Sequence, residues 1–248
     1  MAAPRVTRLR LVAAALLLVL WEAASWSGLF YRGVLPSIVQ ILTALVRLLA
    51  DPAFWWHLGT TAMEVALALL IGGGLGIVVG VLVGGARFLR RAYEPALHYL
   101  APTPKIVFLP ILIALFGVGP SSKVAMGALS CFFPVALSVA SGMTLVSPVH
   151  LRVARSFKFS TLRTLRSVYL PSLVPPMITG LRLGLGVAVI GCLLSEIKLS
   201  NRGLGFLAIQ FYSQFRIPEM YAVLIVVFAL AGLGNALFGR AAALSIVK

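Results

Sequence analysis

RVARSFKFSTLRTLRSVYLP, residues 152–171, is a basic island set between two long apolar stretches. Residues 156–166 have helical spacing, with Phe157, Leu162 and Leu165 as apolar contacts and Arg155, Lys158, Arg163 and Arg166 as polar ones. Pro148 ahead and Pro171 behind restrict continuation, which predicts two short helices with a bend between them. Such a segment either anchors to anionic headgroups or docks on a partner.

The rest of the chain explains why the island stands out. With 60% hydrophobic residues, 11% charged and a mean hydropathy of +1.04, the 248 residues are too apolar for a soluble domain and belong in a lipid bilayer. The net charge of +15 therefore reports where Arg and Lys sit about a membrane, and nucleic acid is not an expected partner. Cys131 and Cys192 both lie in apolar runs, so neither a disulfide framework nor a metal site is indicated.

Six segments approach the roughly 20 residues a spanning helix needs: 9–28, 58–83, 106–116 with its flanks, 124–144, 174–195 and 221–241. Pro102, Pro104 and Pro110 interrupt the third, which reads as a kinked helix starting near Glu94. The first has a competing reading as a signal peptide, with Ala23, Ala24 and Ser25 as a cleavage-like site that Trp21 and Glu22 spoil. Residues 36–56 read as an amphipathic helix at the outer interface, through Ile38, Ile41, Leu42, Leu45, Leu48 and Leu49.

With the N-terminus in the cytoplasm, thirteen cations fall inside: Arg5, Arg8, Arg10, Arg87, Arg90, Arg91, the island's five, Arg240 and Lys248. Six stay outside, at Arg32, Arg47, Lys123, Lys198, Arg202 and Arg216. The positive-inside rule then places the island in the cytoplasm.

Gly72, Gly76, Gly80 and Gly84 recur every fourth residue, a stripe on which a neighbouring backbone can pack; Gly180, Gly184 and Ala188 repeat the device. Enzyme signatures are poor. His57, His98 and His150 share no metal-ligand spacing and read as interface histidines. Residues 117–123, GVGPSSK, lack the Gly-Lys-Ser/Thr ending of a phosphate loop and read as a turn between spans. No Walker-type site is present, so energy must come from an ion gradient or another subunit.

Aligned on Leu170 and Pro171, the island resembles the cytoplasmic loop of binding-protein-dependent ABC importer permeases, whose pattern is E-A-A, three residues, Gly, nine residues, I-x-L-P. Arg152, Val153, Ala154, Lys158, Val168, Leu170 and Pro171 stand at those positions. Residues 102–123 with Phe132, Phe133 and Pro134 are similar to the nitrate, sulfonate and taurine branch, as are Leu20–Glu22, Gly180–Arg182, Glu196 and Gly203–Gly205. The resemblance covers 58–241 well and the first fifty residues loosely.

The resemblance implies an all-α polytopic membrane protein of about six transmembrane helices with the type I ABC importer permease fold. Residues 1–57 would hold a first helix and an outer segment, and 58–242 the permease domain with a cytoplasmic coupling loop at 147–171. It implies an inner-membrane permease that imports a small anion or small organic molecule by alternating access. The expected partners are two copies of a cytoplasmic ATPase that binds ATP and Mg, a second permease chain expected to be identical, and an external substrate-binding protein; no cofactor is expected in this chain. Coupling would fall to Arg152, Val153, Ala154, Arg155, Ser156, Phe157, Lys158, Arg163, Leu170 and Pro171. Two departures are Arg152 in place of the acid and Lys158 in place of the turn glycine, a position lysine does not easily fill if φ is positive. Candidate pathway residues are Glu64, Ser130, Cys131, Phe133, Ser138, Ser141, Arg182 and Glu196, with helix packing as the competing reading of each. Glu64 is expected near one end of its span, either wetted or paired inside the membrane, with Arg182 as the first partner to test. The rival class, a secondary transporter driven by an ion gradient, would be expected to show internal repeats, and none is visible.

Overall fold

Helical periodicity with few interior breakers dictates helices, and the computed structural model, which describes residues 4–29 and 33–246, contains no strand among them. Arg32 and Lys248 lie outside the described residues, as does the side chain of Arg5. The helices are α1 Pro4–Trp26, α2 Ile38–Ala50, α3 Pro52–Gly85, α4 Arg87–Leu100, α5 Leu109–Phe116, α6 Pro120–Thr144, α7 Pro148–Ser156, α8 Thr161–Leu199, α9 Leu204–Ser213 and α10 Ile217–Ile246. Among the described residues five are long and apolar enough to cross a membrane (α1, α3, α6, α8 and α10), and a sixth span results if α4 and α5 are taken together.

The third span is not a kinked rod. Pro102 and Pro104 stop α4, a 3₁₀ turn Lys105–Phe108 follows, and α5 leaves at 94° to α4. Helix begins at Arg87, seven residues before the expected Glu94 start, and runs through Pro95.

The stretch expected as one outer amphipathic helix ends early. Ser37 and Gln40 form a reciprocal capping box that starts α2, with Ser37 Oγ accepting from the Gln40 amide (3.2 Å) and Gln40 Oε1 from the Ser37 amide (3.0 Å). The chain turns at Asp51, whose Oδ1 accepts from the Ala53 amide (2.9 Å), and Pro52 opens α3. Trp55 and Trp56 thus belong to a membrane span. The buried face of α2 is Ile41, Ala44 and Leu48, while Leu42 and Leu49 point outward. Trp21 and Glu22 fasten α1 to this corner: Trp21 Nε1 donates to the Pro36 carbonyl (3.1 Å), and the Ile38 amide donates to Glu22 Oε2 (2.9 Å).

At the centre lies α6, with α3 on one side and α8 on another. The expected glycine stripes make both contacts. A Cβ at Gly72, Gly76, Gly80 or Gly84 would strike the carbonyl oxygen of Ala128, Phe132, Ala136 or Ala140 respectively, a register that advances together and so sets α3 and α6 parallel. Gly180 meets Val135 and Ser138, Gly184 meets Cys131, and Gly191 meets Met126 and Ser130, which sets α8 antiparallel to α6. Without a hydrophobic drive between helices in lipid, such backbone contact is the main source of association.

Helix α8 carries 39 residues, about 58 Å at 1.5 Å per residue and roughly twice the hydrocarbon thickness of a bilayer. Pro171, expected to end a helix, lies inside it. The turn Leu165–Tyr169 is π-wound, with the Leu170 amide reaching back to the Leu165 carbonyl, and this wider turn lets the helix run on through the proline.

Candidate functional site

The 147–171 loop folds as two helical pieces around a defined bend. Ser147 caps α7, its Oγ accepting from the Val149 amide (3.3 Å), and Ser160 caps the start of α8, accepting from the Arg163 amide (3.3 Å). Between them the Phe159 amide donates to the Ala154 carbonyl (3.0 Å) and the Lys158 amide to the Arg155 carbonyl (2.9 Å). These two bonds define a Schellman motif, and its left-handed position is Lys158, at φ 52°. The pattern's glycine geometry is thus kept by a lysine, and the bend expected between two short helices falls at 157–160.

Left-handed backbone costs a side-chain-bearing residue about 1–2 kcal/mol, of which glycine's extra unfolded-state entropy returns about 0.5–1. Lys158→Gly is therefore expected to stabilise the bend by about 0.5–1 kcal/mol, seen as about two- to fivefold slower hydrogen exchange at the Phe159 amide. Unchanged or faster exchange would show that the lysine is not strained.

Ala154 is buried beneath the bend, and Val153, Phe157 and Leu162 are exposed, Phe157 by 72% and Leu162 by 73%. Arg152, Arg155, Ser156, Lys158, Arg163, Arg166, Leu170 and Pro171 are exposed as well. The Arg163 guanidinium lies over the Phe159 ring, 4.2 Å from its centroid, which stiffens the turn from inside.

At the opposite end of the bundle is a fully buried polar cluster. Glu64 sits thirteen residues into the 34-residue α3 and is level with the start of α6; it has no exposure, so it is not wetted. Its cation is Lys123, from the first turn of α6, at 3.7 Å and itself 4% exposed. Arg182, the expected partner, instead donates from Nε to Asn235 Oδ1 on α10 (2.6 Å). The carboxyl of Glu196, near the end of α8, lies beside Glu64, so two acids share one buried ammonium.

Glu196 clamps the turn that follows α8. Its Oε1 accepts from Thr61 Oγ1 (2.6 Å) and its Oε2 from the Gly205 amide (2.6 Å), while Thr61 Oγ1 accepts from the Leu204 amide (2.8 Å). Gly203 is required here: its φ is 103°, and a Cβ would collide with the Glu196 carboxyl. Its amide donates to His57 Nδ1 (3.1 Å), which turns one interface histidine into an acceptor in the lock. Lys123 Nζ adds a bond to Ser200 Oγ (2.7 Å). Helices α3, α6, α8 and α9 are thereby tied at one point. Among these residues the sequence points to Glu64, Glu196 and Gly203–Gly205, reads His57 as an interface histidine and places Lys123 with the outside cations.

The remaining pathway candidates scatter. Cys131 is wholly enclosed and Phe133 nearly so. Ser138 and Ser141 line a hollow between α6 and α8 at the loop end, beside Ser147, Ser172 and Thr179. Ser130 lines a separate cleft at mid-height on α6.

The chain as a whole is similar to known proteins. The chain is 32% identical over 221 residues to the taurine transport system permease protein TauC of Escherichia coli, covering 87% of this chain and 80% of that one. It is 29% identical over 218 residues to the putative aliphatic sulfonates transport permease protein SsuC of Bacillus subtilis, covering 88% and 79%. Among solved structures it superposes on a chain of the MetNI methionine ABC transporter in an inward-facing conformation, with a TM-score of 0.64 over 83% of this chain and 97% of that one; at 18% identity this supports the fold alone. Residues 72–245 match the family described as binding-protein-dependent transport system inner membrane component. By that match and these identities the chain belongs to that family, as an ABC importer permease of the taurine and sulfonate branch.

Proposed function

We propose that this chain forms the substrate pathway of an ATP-driven importer for a small anion or small organic molecule, and that 147–171 is where a separate ATPase takes hold. The observation that carries this is the rigid bend at 154–159, which presents Val153, Phe157 and Leu162 beside five cations on the outside of the protein. Apolar anchors ringed by charge are what a docking element needs, and a lipid anchor alone has no use for a locked turn. Two such loops, one per permease chain, engage two ATPase subunits that bind ATP and Mg, and closure of those subunits rocks the helices between inward- and outward-facing states. The second permease chain is a copy of this one, and an external binding protein delivers the substrate. The N-terminus and the loop are cytoplasmic. Burial of Lys123 against Glu64 removes one cation from the opposite side and strengthens the charge asymmetry.

The test is the purified permease with its ATPase and binding protein in proteoliposomes. Lys158→Glu reverses an exposed charge in the bend, and is expected to cut uptake about tenfold or more through lost electrostatic complementarity while the melting temperature stays put. Uptake and substrate-stimulated ATP hydrolysis equal to wild type would overturn the docking role.

A further inference from the structure

The break between α4 and α5 puts one half-buried charge against the side of the bundle. Lys105 borders a cleft of about 470 Å³ whose walls include Met126, Ser130, Leu137, Val187 and Leu194, and among the described residues it is the only charged one lining it. The cleft lies at mid-height, since 126–137 is the centre of the 25-residue α6. The ammonium is held by the carbonyl ends of α4, donating to the Leu100 carbonyl (3.0 Å) and to the Ala101 carbonyl, and it rests 4.8 Å from the Phe133 ring centroid. Two of its three protons are thus used, one is free, and no described carboxylate lies within 4 Å to cancel its charge.

Capping two carbonyls does not require a cation; an amide side chain would donate as well without placing a charge at bilayer depth. Ionisable groups at that depth border water-filled paths or ligands rather than lipid. We propose that this cleft is a weak subsite for a small organic oxyanion of the sulfonate or carboxylate class: the head takes the free Lys105 proton, and the short apolar body lies against Met126, Leu137 and Ile190. This deepens the reading of the chain as an import permease and rests on it for the direction of travel. A single cation with no guanidinium fork gives a passable site, strong enough to favour one sign of charge and too weak to trap it.

The test reads charge selectivity inside the cleft of the permease in nanodiscs. Ser130→Cys introduces one thiol on the wall, over the background of wild type, whose Cys131 and Cys192 are fully buried. Its modification rate is measured with a methanethiosulfonate carrying a sulfonate and with one carrying a trimethylammonium. The sulfonate reagent is expected to be favoured. Adding Lys105→Gln is expected to lower the anionic-to-cationic rate ratio about tenfold, whereas Lys105→Arg keeps it. Methanesulfonate is expected to slow the reaction at equal ionic strength with chloride, and to stop doing so in the Lys105→Gln protein. If Ser130→Cys does not fold, Leu137→Cys carries the same measurement.

A ratio indifferent to Lys105→Gln, or thiols at both positions that no reagent reaches, would overturn the subsite. A permease that shows the selectivity but never captures an ATPase would overturn the coupling reading and leave the subsite standing.

Discussion

Lys123→Met is expected to lower the melting temperature of the detergent-solubilised permease by on the order of 10 °C. The substitution keeps the bulk of the side chain but leaves Glu64 and Glu196 enclosed with no cation, and uncompensated buried charge costs about 3–5 kcal/mol. For a chain of this size one kcal/mol corresponds to about 2–4 °C. Because the loss is one of balance, Glu64→Gln in the same protein is expected to restore part of it, so the double variant melts above the sum of the single effects. Strict additivity, or a Lys123→Met protein that melts with wild type, would mean that the 3.7 Å pair contributes nothing. The Ser200 bond complicates the single variant, which is why the cycle carries the inference.

Gly80→Leu is expected to be comparably damaging. A Cβ at Gly80 would stand 2.7 Å from both the Ala136 carbonyl oxygen and Val139 Cβ, neither of which can swing aside. Helices α3 and α6 would have to part along the whole stripe, because Gly76 and Gly84 touch α6 on either side of it. Overpacking of this kind costs about 3 kcal/mol or more and shows as loss of the monodisperse species on size exclusion. The control is Gly74→Leu on the same helix, where nothing lies within 4 Å; it is expected to elute and melt like wild type. Equal behaviour of the two variants would remove backbone contact as the basis of this packing.

The spans and the glycine seams were legible because both rest on local spacing: one period marks the apolar face and another the small residues. The loop was legible as a bend because two prolines and a charge run frame it. What spacing could not supply was the partner of Glu64. Arg182 is the more conspicuous cation, sitting inside an apolar run, while Lys123 resembles an interfacial lysine at a helix start. Yet the seams themselves rule Arg182 out. Gly72 is level with Ala128 and Gly184 with Cys131, which puts Glu64 and Arg182 about 20 Å apart along the bundle at 1.5 Å per residue. Depth, obtainable from the glycine registers, would have selected Lys123. Lys158 was harder, since a left-handed lysine is a local exception that only the two crossing hydrogen bonds of the bend enforce. The passage of α8 through Pro171 was hidden for the same reason: a single wide turn upstream accommodates it.

The length of α8 has a mechanical consequence. From Leu173 and Pro176, which meet Gly142, through Gly180, Gly184 and Gly191, the helix is seated on α6, and Glu196 fastens its far end. Only the turns from 161 to 172 reach beyond that seat, an arm of about 18 Å at 1.5 Å per residue. A rod clamped over most of its length does not slide past its neighbour; a shove on the overhang moves rod and seat together. The chain thus carries a short handle on a large block, and the Gly203–Gly205 turn travels with the block.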